Sequence, residues 1–86
     1  MGKGVADYLD TVLFTYTLAH LLSKDKVRFY YALKGRDGKS GIIQRYSIDR
    51  LAKGVLLVPK EYWEDVEEFL QFWHCKYKKR KVLVEK

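Results

Sequence analysis

Arg28, Tyr30, Lys34, Arg36, Lys39 and Arg45 fall close together in the chain, and their side chains suit one kind of chemistry. Guanidinium and ammonium groups neutralise phosphates, while a phenol ring offers a flat surface on which a base can stack. Asp37-Gly38 lies between them and is the dipeptide most typical of a two-residue type I′ turn, so the spacing predicts a β-hairpin. In the register that this turn sets, Leu33 faces Ile42, Tyr31 faces Gln44, Phe29 faces Tyr46 and Val27 faces Ile48, forming a core side. The other side carries the six candidates and no acid before Asp49. A solvated strand face usually mixes charge signs, so a one-signed face with an aromatic in it points to a polyanion, with nucleic acid first. The plainer reading is a basic sheet surface that keeps edges apart.

Other constellations fall short of chemistry. Gly38-Lys39-Ser40 ends like a phosphate-binding P-loop, but that motif needs glycine where Leu33 stands. His74-Cys75 and the distant His20 give no zinc-type spacing, so no metal or other cofactor is expected. The carboxylates from Glu61 to Glu68 fit the solvated outer face of a helix and its positive N-terminal end. Two histidines and one cysteine support no nucleophilic constellation, so neither an enzyme nor a small-molecule substrate is expected.

The elements that must position these residues are read from periodicity. After a short leader, Met1 to Gly4, a helix is expected. Wound at about 100° per residue, Val5, Leu9, Val12, Tyr16 and Ala19 form one stripe, and Phe14, Leu18 and Leu21 gather nearly opposite. Ser23 to Lys26 closes it. After the hairpin, the strand Ile42 to Asp49 leads through Arg50 to Gly54 into the short apolar run Val55 to Val58. Pro59 then opens a helix expected from Lys60 to about Lys79, with Trp63, Val66, Leu70, Trp73 and Tyr77 inward and Phe72 outside that arc. The basic residues Lys76 to Lys81 read as a solvated helix end or an accessory phosphate contact, and Val82 to Val84 as a short strand or tail. The expected fold class is α+β: N-terminal helix, three- to four-stranded antiparallel β-sheet, C-terminal helix.

With 86 residues, the chain makes one domain, 1–86. So small a domain buries only about 60–65% of its unfolded surface, and with two-sided apolar helices it is expected to form a homodimer. Charge is segregated: residues 24–53 hold nine basic against three acidic residues, and residues 54–75 hold one against five. No apolar run of about 18 residues indicates a membrane span or secretion signal. A single cysteine fits a reducing compartment, so an intracellular, cytoplasmic protein is expected.

Lys53-Gly54-Val55-Leu56-Leu57-Val58-Pro59-Lys60-Glu61-Tyr62 resembles the strand-to-helix junction of the positive cofactor four family of transcriptional coactivators and single-stranded DNA binders. Arg36-Asp37-Gly38-Lys39 through Arg45-Tyr46 is similar to that family's basic β-ribbon. The resemblance covers about half the chain. It implies a sheet with a C-terminal helix, dimerisation through helices, single strands bound on the sheet, and contacts to phosphate or base from Lys39 and Arg45. The residues and the resemblance together lead to a non-catalytic nucleic-acid-binding protein, most readily a single-stranded DNA binder, with RNA the next choice. The alternative is a protein–protein interaction module, a small accessory or viral factor with no nucleic-acid role. Salt separates the two, because phosphate binding weakens steeply with ionic strength and an apolar interface hardly does.

Overall fold

A computed structural model describes residues 8–85; the expected leader and the Val5 start of the expected first helix lie outside them. The chain runs β1 (Tyr8–Thr17), α1 (Ser23–Lys34), α2 (Ile42–Arg45), β2 (Asp49–Ala52), β3 (Val55–Pro59), a 3₁₀ turn (Lys60–Tyr62), α3 (Trp63–Phe72) and β4 (Lys76–Glu85). The strands form one antiparallel sheet in the order β2-β3-β1-β4. The α+β class, the four-stranded antiparallel sheet and the helical segment after Pro59 are as expected.

Two segments adopt the opposite element from the one expected. Tyr8–Thr17 is a strand, not a helix. Its residues are rich in β-branched and aromatic types, and Val12, Phe14 and Tyr16 alternate inward against Leu9, Thr11, Leu13 and Thr15. Two apolar stripes on opposite sides of a helical wheel are what a period of two looks like when wound at 100°. The two-sidedness that suggested a partner subunit is therefore one strand face split in two by the wheel, since Val12 and Tyr16 of one stripe and Phe14 of the other all turn inward.

Ser23–Lys34, where the hairpin's first strand was expected, is a helix. Asp25 sits in its first turn and Lys34 in its last, each favourable to the dipole. The Gly35 N–H closes the helix by donating to the Tyr31 carbonyl at 2.8 Å. Asp37-Gly38 forms no type I′ turn, since only Gly38 has positive φ. Instead, Asp37 Oδ1 accepts hydrogen bonds from the Lys39 N–H at 2.8 Å, the Ser40 N–H at 3.0 Å and the Ser40 hydroxyl at 3.1 Å. These bonds tie the turn to itself and hold the Asp37 carboxyl below its usual range, the Lys39 N–H contributing most. The expected second strand is α2 followed by the short β2.

All the helices cover one face of the sheet. Phe29 and Leu33 of α1 and Val66 and Leu70 of α3 are buried with Val12, Phe14, Leu56 and Val58. Phe29 is central, with ring centroids 5.6 Å from Tyr16, 5.3 Å from Phe69 and 5.5 Å from Trp73. At the end of α3 the chain leaves the helix through His74 at φ 57°, and the Cys75 N–H donates to the Leu70 carbonyl at 3.0 Å. Lys76 to Lys81 therefore lie on β4, not on a helix end. Among the described residues no helix is long and apolar enough to cross a membrane.

Candidate nucleic-acid interface

The six candidates do not share one sheet face. Tyr30 and Lys34 lie one turn apart on α1, where Lys26 precedes them by another turn, so that the three make a stripe. That stripe borders the β2–β3 hairpin. The Lys34 ammonium is 5.5 Å and the Arg50 guanidinium carbon 5.6 Å from the centre of the Tyr30 ring. On one side of Tyr30 opens a cleft of about 320 Å³ lined by Tyr16, Thr17, Leu18, Lys26, Lys53 and Gly54 among others. Farther along, Lys34, Arg36 and Arg50 line a second cleft of about 470 Å³ together with Ile43, Gly35 and Gly38. Among the described residues no carboxylate lines either cleft. Five cations and a tyrosine thus line two clefts between α1 and the hairpin, which adjoin where Lys34 and Arg50 meet Tyr30 and together make the candidate groove, with Arg36 also stacking on Tyr31 at 4.9 Å.

Arg28, Lys39 and Arg45 lie elsewhere. Arg28 points about 160° round the helix from Tyr30, and Lys39 and Arg45 are exposed on the turn and at the end of α2 without lining the groove. Lys26, Arg50 and Lys53 were not among the candidates. The signal for Lys26 was its four-residue spacing from Tyr30, legible only if the stretch is read as a helix. Arg50 and Lys53 reach the groove by tertiary folding alone.

Hydrogen-bonding capacity is left unused at the groove. Arg50 Nε and the Tyr16 hydroxyl are both buried with no partner among the described residues. Burial pushes the Tyr16 pKa up to about 12, partly offset by the neighbouring Arg50 charge. The phenol therefore stays protonated, a neutral donor, through the physiological range.

The cations of β4 divide by strand parity. Lys79, on the helix side, is engaged: its ammonium is 2.7 Å from Glu67 Oε2 and 4.6 Å from the centre of the Trp63 ring. The Tyr77 hydroxyl donates to the same carboxylate oxygen at 2.7 Å and accepts from Gln71 Nε2 at 3.0 Å. Together these bonds, the one from Lys79 foremost, hold the Glu67 carboxyl below its usual range. A carboxylate with a lowered folded-state pKa contributes stability that is full above the unfolded value near 4.5 and lost as pH falls through the folded value. Glu67→Gln is expected to lower stability by about 1 kcal/mol at pH 7. That difference should shrink in urea melts taken below pH 4.5; a gap unchanged down to acid pH would show that the carboxylate charge is not what holds β4 to α3.

Among the described residues no group of three or more His, Cys, Asp or Glu side chains is placed to hold a metal ion. The Lys53–Tyr62 junction runs from strand to helical turn, whereas Arg36–Tyr46 is a turn and a short helix where the family resemblance implied a ribbon. In comparisons with known proteins, the chain matches no family model, no curated protein and no solved structure.

Proposed function

We propose that the chain binds single-stranded nucleic acid, DNA foremost, in the groove between α1 and the β2–β3 hairpin, and that it does so without catalysis. The observation that carries this reading is Tyr30, whose ring centre lies 5.5 Å from the Lys34 ammonium and 5.6 Å from the Arg50 guanidinium carbon, in a groove lined by five cations and, among the described residues, by no carboxylate. A row of cations tracks a phosphate backbone at any sequence, and an aromatic ring among them offers an unstacked base a surface. The guanidinium of Arg50, beside the Tyr30 ring, suits a phosphate oxygen. A cleft with a ring inside it favours a single strand over a duplex, whose bases are already stacked and paired. With Lys24, Lys26, Arg28 and Lys34, however, α1 is a basic helix, so a duplex belongs in the test as a comparison. An intracellular location is part of the same proposal and agrees with the lone, buried Cys75.

The test is fluorescence anisotropy with labelled single-stranded and duplex oligonucleotides over a range of salt. Single-strand affinity should fall steeply with salt, and Lys34→Ala or Arg50→Ala should each reduce the slope by about 0.7. Tyr30→Leu keeps much of the packing against Phe29, which meets Tyr30 edge-on at 5.8 Å, yet removes the stacking ring. It should weaken binding by roughly 1–3 kcal/mol and leave the slope in place. Absence of binding at low salt, or equal binding by Tyr30→Leu, would sink the reading.

A further inference from the structure

The face of the sheet opposite the helices has no cover among the described residues. Strand pairing puts Leu9, Leu13, Val55, Leu57 and Val82 on it, across neighbouring strands. None of the five is fully buried, and Leu9 is 49% exposed. Along one border, β4 adds Lys76, Lys78 and Arg80, which alternate onto this same side at about 6.8 Å intervals. All three are exposed, and none is ion-paired among the described residues. Among the described residues the one carboxylate that strand pairing puts on this face is Asp49, on β2 at the opposite border.

From this pattern we infer that the open sheet face docks an acidic amphipathic helix of a partner protein. The inference is independent of the nucleic-acid reading. Charge complementarity selects the occupant: an aliphatic stripe would lie over Leu13 and Leu57, and carboxylates along its flank would meet Lys76, Lys78 and Arg80. Nucleic acid is the poorer fit here, because paired positions bring no aromatic ring to this face and threonine and aliphatic side chains stack no base. A second copy also fits poorly. The face spans of order 450 Å² from strand spacing and rise, against about 800 Å² per partner in a stable dimer. It would also bring a like-charged border into the interface. A single helix, about 10 Å wide, matches that footprint.

The experiment titrates the full chain with a fluorescein-labelled 18-residue helical peptide of leucine, alanine and glutamate, acidic on one face. The same peptide with lysine for every glutamate serves as control, and backbone amide shifts are followed by NMR. The acidic peptide should bind saturably and at least tenfold more tightly than the lysine peptide, with shifts at Thr11, Leu13 and Leu57. Lys78→Glu combined with Arg80→Glu should weaken it at least tenfold, and Lys34→Ala, in the groove, should not change it. If the doubly reversed variant fails to fold by circular dichroism, Lys78→Gln with Arg80→Gln should still weaken binding at least threefold. The inference is overturned by equal binding of the two peptides, by no saturable binding, or by shifts confined to α1. It is equally overturned by sedimentation in which a second copy closes the face, or by an oligonucleotide that shifts Leu13 and Leu57.

Discussion

Phe29→Ala is expected to cost about 3–5 kcal/mol, because it empties the centre of the core. Phe29 has no exposed surface, and its ring meets those of Tyr16, Phe69 and Trp73, so one truncation opens a gap shared by β1, α1 and α3. The gap cannot close by a rotamer change, since its walls belong to three elements fixed by separate hydrogen-bond ladders. In a domain of this size each kcal/mol moves the melting temperature by about 4–8 °C, so the variant should melt on the order of 15–30 °C lower or fail to fold. The adjacent Tyr30→Leu should cost under about 1.5 kcal/mol, as Tyr30 is only half-buried and its ring borders the groove. Urea melts of the two variants make the comparison. A loss below about 1 kcal/mol for Phe29→Ala, or the larger loss from Tyr30→Leu, would mean that α1 turns another side to the sheet.

That pair also shows what the sequence made legible and why. A strand repeats every second residue and a helix every third or fourth, so the two patterns agree at a spacing of four. Phe29 and Leu33 are four apart and are buried in either element, and they are indeed the two buried residues of α1. Val27 and Tyr31, which only a strand would place on the side of Phe29 and Leu33, are 48% and 44% exposed. For β1 the same ambiguity ran the other way: residues spaced for a strand also fall into two opposite stripes on a helical wheel. Pro59 and the acids that follow it had no such double reading, and helical structure begins just after Pro59 as expected, with Val66 and Leu70 inward and Phe72 76% exposed. Its end was less legible. The left-handed His74 that turns the chain into β4 carries no glycine to announce it.

The candidate groove was half visible for the same reason. Tyr30 and Lys34 share it because they are four apart, Arg36 because the turn folds back beside α1, whereas Arg28 and Lys39 were grouped with them only by strand parity. Arg50 meets Tyr30 across 20 positions of chain, and no local pattern reports such a contact. Basic character and an aromatic partner could thus be read from composition, but the groove exists only once the β2–β3 hairpin is laid beside α1.

Gly41→Ala is expected to be strongly damaging for a change of one methyl group, and its reason is steric. Gly41 is buried at the start of α2 with φ −81° and ψ 177°, a conformation open to any residue. A Cβ there, however, would stand 2.3 Å from the Leu33 carbonyl oxygen and 2.5 Å from the carbonyl carbons of Leu33 and Lys34. These are backbone atoms at the end of α1, so no side chain can swing aside, and either α1 or α2 must shift. The cost should reach about 3 kcal/mol or more, the upper end for overpacking. Because Lys34 and Arg36 flank the displaced backbone, the variant should also lose its share of the cleft they form with Arg50. Gly38→Ala is the matched control. Its Cβ would meet nothing within 4 Å, but φ is +75°, so only the left-handed conformation is penalised, by about 1–2 kcal/mol. Melts of the two variants should therefore differ by at least about 1 kcal/mol in favour of Gly38→Ala; a Gly41→Ala protein as stable as the parent would show that α2 does not pack on the end of α1, and the groove would lose the lining that Ile43 supplies.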